Sequence, residues 1–328
     1  MWKITSEVAI DVPTDDEVNP SLDMQWSSQG IRTGIYGSIA PRIIVLPNGK
    51  YRMYYTQIMP RPGYSEGAND YGNASARILS ATSLDGIIWT PEPGVRLSPQ
   101  DGGAGEFRVV VGDVVPVEKA NNKLRMYYEC SKGTQEKTNS IRSVISNDSG
   151  LKWETEQGTR FSNNLSNYTS PRIVFLENGK CRLYCGERGK GIVSALSEDV
   201  GITFYQEDGV RISSDGPYDS KAAYAPEIIK LEEGGYIMYY AGYSNDNKAY
   251  ILRAVSDDGL IWRKLNEPVI SPTPGTWGAA KCSEMSVYRI YNQKEKVSQY
   301  RMVFEACDGT AKDRRGVWRI ACAKSLSI

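Results

Sequence analysis

The segment Ser38-Ile-Ala-Pro-Arg42-Ile-Ile-Val-Leu-Pro-Asn-Gly49-Lys-Tyr-Arg-Met-Tyr54-Tyr55 is the clearest of several related segments in the chain. Close copies run from Tyr168 to Tyr184 and from Tyr224 to Tyr240, and looser copies run from Val110 to Glu129 and from Cys282 to Glu305. The clear copies join an apolar segment to a Tyr-rich segment through Asn-Gly or Gly-Gly, the pattern of a β-hairpin. Repeated hairpins at intervals of this length predict a repeat architecture.

A second hairpin is predicted after each of the first four. Its turn contains Ser, Asp and Gly followed by an aromatic residue, as in Ser83-Leu-Asp85-Gly-Ile-Ile-Trp89. The Asp side chain accepts hydrogen bonds from turn amides, and Gly takes the positive-φ position. This is the Asp-box type of turn, so we interpret its aspartates as structural. They are Asp85, Asp148, Asp199 and Asp258.

Outer strands complete the predicted repeat. They follow the Asp turns over residues 90–98, 154–162, 205–213 and 263–271, and residues 2–12 fit the same place in the last repeat. The prediction is an all-β fold: one domain over 1–328, a five-bladed β-propeller with four-stranded antiparallel blades, whose N-terminal strand closes the last blade. Longer polar connections, including 13–37, 57–75 and 99–108, would rim its axial funnel.

The composition excludes several functions. Lys and Arg total 39, as do Asp and Glu, so the chain lacks the basic surplus that nucleic-acid or membrane-surface binding requires. Histidine is absent, which removes histidine bases, triads and metal ligands. The six cysteines lack metal-site spacing, and we predict buried free thiols.

No signal peptide or membrane-spanning run is found, so a cytoplasmic protein is expected, with secretion after processing as the alternative. We expect no cofactor and no metal. A Ca²⁺ ion at the axis is compatible with oxygen ligands, but nothing in the sequence requires it. The sequence does not indicate an oligomeric state.

Charged residues occur at matching places in the five apolar first strands, and we predict that they form one ring around the axis. They are Arg42, Asp113, Arg172, Glu227 and Glu284. Asp113 would stay ionised between the arginines, whereas Glu227 and Glu284 would repel each other and raise the pKa of one of them. Such a pair suits glycosidic bond cleavage, and the arginines suit an anionic substrate. The alternative is a self-neutralising ion network.

Further candidates surround this ring. Tyr36, Tyr168, Tyr224 and Trp277 are the candidates for stacking on sugar faces near the funnel, with packing in the core or at the rim as the alternative for each of them. Three more acidic residues, Glu129, Glu187 and Glu305, end second strands and are interpreted as solvated strand-end charges unless they point to the axis.

With these features the chain resembles five-bladed propeller glycosidases, notably glycoside hydrolase families 43, 32 and 130. The resemblance implies that Asp113 and either Glu227 or Glu284 match the acidic catalytic residues, although Arg42 stands where families 43 and 32 have an acidic residue. Pro41-Arg42-Ile43 and Pro171-Arg172-Ile173 are similar to the phosphate-binding strand of family 130. The Asp turns and Arg42 are also similar to those of sialidases.

The predicted function is therefore that of a carbohydrate-active enzyme. A glycoside hydrolase would use Asp113, Glu227 and Glu284 for proton transfer and charge stabilisation on an anionic or otherwise decorated glycan. The alternatives are a phosphorylase, in which phosphate replaces water, and a non-catalytic glycan-binding propeller.

Overall fold

The structure is a computed structural model that describes residues 1–11, 35–60, 74–99, 108–118, 123–131, 133, 138–163, 165–292, 297–310 and 316–328. These residues form an all-β fold, in which the one described helical element is the 3-10 turn Glu177–Gly179. Within the same residues, no helix combines the length and apolar character needed to cross a membrane. Most of the predicted funnel loops, including 13–34 and 61–73, lie outside the described residues.

The strands after β1 (Lys3–Ile10) pair in successive antiparallel groups, numbered here in chain order. Group 1 comprises β2 (Ile35–Val45), β3 (Tyr51–Pro60), β4 (Ala74–Ser83) and β5 (Thr90–Pro91). Group 2 comprises β6 (Arg108–Glu118), β7 (Lys123–Ser131), β8 (Asn139–Ser146) and β9 (Glu154–Thr155). Group 3 comprises β10 (Tyr168–Phe175), β11 (Cys181–Glu187), β12 (Gly191–Ser197), β13 (Tyr205–Gln206) and β14 (Ile212–Ser213).

Group 4 comprises β15 (Ala222–Lys230), β16 (Tyr236–Tyr243), β17 (Ala249–Ser256) and β18 (Arg263–Lys264). Group 5 comprises β19 (Lys281–Asn292), β20 (Val297–Cys307) and β21 (Gly316–Ser325). The predicted first hairpins are thus the first two strands of each group. All six cysteines lie buried in these strands as free thiols.

The predicted outer strands are wrong in their length. Residues 90–98 pair with β4 only at Thr90–Pro91 and through a bridge between Ile78 and Leu97. Gly94 interrupts the segment, because its φ of 87° is incompatible with an extended strand. Gly158 and Gly209 interrupt the corresponding segments of groups 2 and 3 in the same way.

The aspartates of the Ser-Asp-Gly turns bind backbone amides. Asp85 Oδ1 accepts hydrogen bonds from the amides of Ile87 at 2.8 Å and Ile88 at 2.9 Å, and from the Ser83 hydroxyl. Asp148, Asp199 and Asp258 make the same set of contacts. The Oδ1 atom of each aspartate therefore stabilises the turn in which it lies.

Tyrosine hydroxyls connect each group to its neighbour. Tyr54 donates to the carbonyl of Gly150, in the Asp turn of group 2, at 2.9 Å. Tyr127 and Tyr184 repeat this contact between groups 2 and 3 and between groups 3 and 4, and Tyr288 of group 5 donates to Gly86 of group 1. The last group therefore contacts the first.

The N-terminal strand completes group 5. Strand β1 pairs antiparallel with β21, from Lys3 opposite Lys324 to Ile10 opposite Ile320. Trp2 Nε1 donates to the Tyr239 hydroxyl at 3.2 Å, so this segment also provides the contact between groups 4 and 5. Buried aliphatic and aromatic side chains fill the spaces between adjacent groups.

Candidate functional site

A β-bulge sets the position of the predicted charged ring. Each first strand has one extra residue relative to its partner near the ring, as between Ile39 and Arg42. In groups 1, 3 and 4 the residue before the proline of the bulge has a φ near +50°. After the bulge, Arg42, Asp113, Arg172 and Glu227 each lie opposite a second-strand tyrosine.

Glu284 is not equivalent to these four residues. It lies within the bulge between Cys282 and Met285, where groups 1, 3 and 4 have proline, and Met285 takes the ring position opposite Phe304. The predicted alignment is therefore wrong by one residue in group 5, where Met285 and not Glu284 follows the bulge.

The four residues of the ring bind one another. Arg42 Nε lies 2.6 Å from Asp113 Oδ1, and Arg42 Nη1 lies 2.7 Å from Glu227 Oε2. Asp113 also accepts the amides of Val114 at 2.8 Å and Ile173 at 2.7 Å. Glu227 accepts Arg172 Nε at 3.1 Å and the Val287 amide at 2.9 Å.

Arg172 connects the ring to Glu284. Its Nη2 lies 3.2 Å from Glu284 Oε1, and Nη1 donates to the carbonyl of Gly112. The second Glu284 oxygen accepts the Ser170 hydroxyl at 3.0 Å. Burial is the main cause that raises the pKa of Glu284, against the attraction of Arg172, and repulsion by Glu227 adds less than burial does.

These contacts bear on the predicted roles of the ring. Asp113 and Glu227 each accept an arginine and a backbone amide of the next group, and both are buried. Arg172 is also buried, whereas the Arg42 side chain keeps 19% of its surface exposed. The geometry is that of the ion network that the sequence left as an alternative.

A cavity of about 410 Å³ lies where the first strands of groups 2, 3 and 4 begin. Its polar wall includes Glu129, near the end of β7, and Glu187, the last residue of β11, and both residues are buried. Tyr224 and Tyr243 contribute aromatic surface, and the basic residues of the wall are Arg108, Arg188 and Lys221. The dimensions fit a small ligand such as one or two sugar rings.

Glu129 is buried, contrary to the interpretation of a solvated strand-end charge. Its Oε1 accepts the Ser170 amide at 2.7 Å. Burial first, and repulsion by Glu284 second, raise the pKa of Glu129 to about 8. A carboxyl group that is protonated at neutral pH and lines a cavity can donate a proton to a ligand.

Glu305 is held in a similar way behind this wall. It accepts the Ala40 amide at 2.8 Å and the Ser283 hydroxyl at 2.5 Å. Burial, followed by repulsion from Glu284, raises the pKa of Glu305 to about 8. Glu129, Glu284 and Glu305 therefore form a buried acidic cluster in which charge on one member disfavours charge on the others.

Glu187 is ion-paired at the cavity wall. Its Oε1 accepts the Ser166 hydroxyl at 2.7 Å and lies 2.6 Å from Lys190 Nζ. Gln206 Nε2 donates to the other oxygen at 3.3 Å. The cavity thus pairs a protonated carboxyl group with one held by a cation.

The four predicted aromatic residues occupy different environments. Tyr224 lines the cavity, whereas Tyr168 is buried against Phe161 with ring centroids 4.5 Å apart. Trp277 lies in a separate cavity of about 430 Å³ beside β1, with the Arg319 guanidinium 4.5 Å from its ring. Tyr36 is in β2, and its side chain lies outside the described part of the structure.

The sequence carried a signal for the acidic cluster. Glu129 and Glu305 each follow a run of apolar and aromatic residues within a second strand, where a solvated charge would be out of place. Metal coordination has no comparable signal: in the described residues, no three Cys, Asp or Glu side chains are grouped so that they could hold a metal ion.

No protein-family model and no curated protein matches the chain. Among solved structures, a glycosyl hydrolase from Bacteroides ovatus is similar with a TM-score of 0.71 and 16% identity over 99% of this chain and 93% of that chain. A second similar structure comes from work on the GH130 family of mannoside phosphorylases, which contains glycoside hydrolases that target β-1,2 mannosidic linkages in Candida mannan. It has a TM-score of 0.68 and 16% identity, over 98% of this chain and 93% of that chain.

A thermostable family-43 glycoside hydrolase gives a TM-score of 0.64 and 18% identity over 89% of this chain and 90% of that chain. At these identities the similarity concerns the fold. The chain has the all-β fold of glycosidase-like propellers that resemble families 43 and 130.

Proposed function

We propose that the protein is a carbohydrate-active enzyme of the glycoside hydrolase type, and that strand groups 1 to 5 are the blades of a five-bladed propeller. The contacts from each group to the next, and from group 5 back to group 1, support this blade count. The observation that carries the functional proposal is that buried Glu129, whose pKa burial raises, and ion-paired Glu187 line the same cavity.

In the proposed reaction, Glu129 gives its proton to the leaving oxygen as the glycosidic C–O bond breaks. Glu187 either accepts the proton of the attacking water or attacks the anomeric carbon itself, and water then releases the sugar. Tyr224 would pack against a sugar face. Glu284 would act behind Glu129 through Ser170 and through repulsion.

Asp113, Glu227, Arg42 and Arg172 have a supporting role in this proposal. Their contacts with one another and with Val287 and Glu284 join all five groups, next to the bulges whose Ser170 and Ala40 amides donate to Glu129 and Glu305. Tyr168 is assigned to the core and Trp277 to a separate surface.

A phosphorylase is the second candidate, because one similar structure comes from a family of mannoside phosphorylases. Inorganic phosphate would then replace water at the anomeric carbon. A non-catalytic glycan-binding propeller is the third, and it would bind sugars in the same cavity without cleaving them.

The test is turnover of a panel of aryl glycosides and uronides, with and without phosphate, by the wild type and two variants. Glu129→Gln keeps the shape and the Ser170 contact but carries no acidic proton, so kcat should fall by about 10²- to 10⁴-fold. Exposed Glu198→Gln is the matched control and should keep wild-type kcat.

Glu227→Gln separates the two assignments of the carboxylates. We expect it to lower the melting temperature, because it removes one of the two ionic partners of buried Arg172 and one of the two of Arg42. Lost turnover with an unchanged melting temperature would instead assign catalysis to the ring. Turnover only with phosphate would select the phosphorylase, and glycan binding without any cleavage would select the binding propeller.

A further inference from the structure

The cavity wall carries more positive than negative charge. Its basic side chains are Arg108, Arg188 and Lys221, and its acidic side chains are Glu129 and Glu187. Lys190 is outside the wall, and its Nζ lies 2.6 Å from Glu187 Oε1, so it balances the charge of Glu187. Because burial raises the pKa of Glu129 to about 8, this group adds no negative charge at neutral pH. The chain as a whole is neutral, so the surplus is local.

The basic residues come from three different groups and converge on one space. Arg108 begins β6, Arg188 follows the last residue of β11, and Lys221 precedes β15. Arg108 is buried, and Arg188 and Lys221 are exposed at the rim. A wall with one buried and two exposed cations can bind an anion and keep it close to the two carboxyl groups.

Lys221 is held in place before any ligand binds. Its Nζ donates to Asn247 Oδ1 at 3.1 Å and lies 4.9 Å from the centre of the Tyr243 ring. The Tyr243 hydroxyl donates to the same Asn247 oxygen at 2.9 Å. A positioned ammonium beside an aromatic ring suits a sugar that carries a negative group, since the ring packs on carbon and the ammonium binds the anion.

We propose that the cavity selects glycans with an anionic substituent, and that Arg188 and Lys221 contact this substituent at the rim. This inference rests on the proposed function and deepens it by naming the substrate class. A uronic acid carboxylate, a phosphate ester and a sulfate ester share the required chemistry. The anion belongs to the sugar in this assignment, and it is not a phosphate nucleophile.

The test is calorimetric binding to the full chain carrying Glu129→Gln, which prevents turnover. The probes are an oligogalacturonide, the matching neutral oligosaccharide, a sugar phosphate, a sulfated sugar and inorganic phosphate alone. We expect at least one anionic sugar to bind about 10-fold or more tightly than its neutral counterpart, and added salt to weaken this binding. The preferred anionic sugar identifies the substituent.

Arg188→Gln and Lys221→Gln should each weaken the binding of the anionic sugar by about 10-fold or more, with little effect on the neutral one. Lys180→Gln, an exposed lysine outside the cavity wall, is the control and should leave binding unchanged. Equal affinity for neutral and anionic sugars, absence of binding by every anionic sugar, or binding of inorganic phosphate alone would each overturn the inference.

Binding and cleavage fail independently. Selective binding of an anionic sugar by a wild type that cleaves nothing would leave this inference intact and reject the hydrolase. Cleavage of neutral glycosides that depends on Glu129, with no preference for anionic sugars, would support the hydrolase and reject this inference.

Discussion

Glu129 and Asp113 are both buried acidic residues of group 2, yet their surroundings differ. Asp113 accepts two backbone amides and contacts Arg42 at 2.6 Å. Glu129 accepts one amide and faces a cavity, and Glu284 repels its charged form. Burial and this repulsion raise the pKa of Glu129 to about 8, so they favour its protonated form.

We expect Asp113→Asn to lower the free energy of unfolding by about 2–4 kcal/mol, because it leaves Arg42 with one ionic partner in a mostly buried site. Urea denaturation would measure the change. Asp246→Asn, which removes an exposed pair with Lys248, is the control and should cost less than about 1 kcal/mol. Equal effects of the two substitutions would reject a structural role for the ring.

The raised pKa values of Glu129 and Glu305 predict that stability falls as pH rises. Each carboxyl group has a folded-state pKa of about 8 and an ordinary value of 4.5, so the folded state binds more protons between these values. Their contribution is complete below pH 4.5 and is lost as pH increases through about 8. Each group can contribute a slope of at most about 1.4 kcal/mol per pH unit.

Melting temperatures of the wild type and Glu129→Gln between pH 5 and pH 9 test this prediction. The variant should show a flatter dependence on pH than the wild type, whereas exposed Glu198→Gln should follow the wild type. Parallel curves for all three proteins would mean that Glu129 titrates at its ordinary pKa in the folded state.

At the scale of the strands and turns, most of the prediction from sequence was right. Hairpins and Ser-Asp-Gly turns depend on neighbours within a few residues, so local patterns reveal them. The outer strands of groups 1 to 3 were predicted too long because the positive φ of Gly94, Gly158 and Gly209 was not considered. Four of the five ring positions were correctly aligned, and Glu284 was displaced by a bulge that its residues do not mark.

The candidate site was less predictable because burial depends on residues that are distant in sequence. Tyr168 and Tyr224 occupy similar places in two copies of the repeat, but the first packs against Phe161 and the second lines the cavity. The position of Glu129 in group 2 corresponds to that of Thr56 in group 1, so an acidic residue at this position is not part of the repeat pattern. Its environment is created by Ser170 and Glu284 from other groups.

The contact between Tyr54 and Gly150 provides a test of how the groups pack together. A Cβ added at Gly150, whose φ is 89°, would lie 1.8 Å from Tyr54 Oη. We expect Gly150→Ala to cost at least about 3 kcal/mol, from backbone strain together with overpacking. Chemical denaturation would measure this loss.

Gly158→Ala is the matched control for backbone strain. Its φ is 86°, and the nearest atom to an added Cβ is Arg160 Nη2 at 3.7 Å. The cost should therefore be about 1–2 kcal/mol, from the positive φ alone. If both alanine variants lose the same stability, the contact between the groups contributes nothing.

At the scale of the whole molecule, strand β1 decides whether group 5 is complete. Ile10 is buried against residues of groups 1 and 5, including Ile43 and Ile320. We expect Ile10→Ala to lower the free energy of unfolding by about 2–4 kcal/mol and to shift the whole transition without splitting it. Ile4→Ala, in the same strand but 39% exposed, should cost clearly less.

Calorimetry together with tyrosine fluorescence would test this prediction. A separate early transition in Ile10→Ala would show that group 5 unfolds independently of the other groups. A single transition for both variants, with the larger shift for Ile10→Ala, would show that β1 stabilises the molecule as one cooperative unit.

The pairing of β1 with β21 also has a consequence for synthesis on the ribosome. Residues 3–10 are made before groups 1 to 4, but their partners around residues 320–324 are made after those groups. The nascent chain must therefore keep an unpaired N-terminal strand accessible while the other groups fold, and contacts of such long sequence separation form slowly. Group 5 can be completed only after β21 has left the ribosomal tunnel.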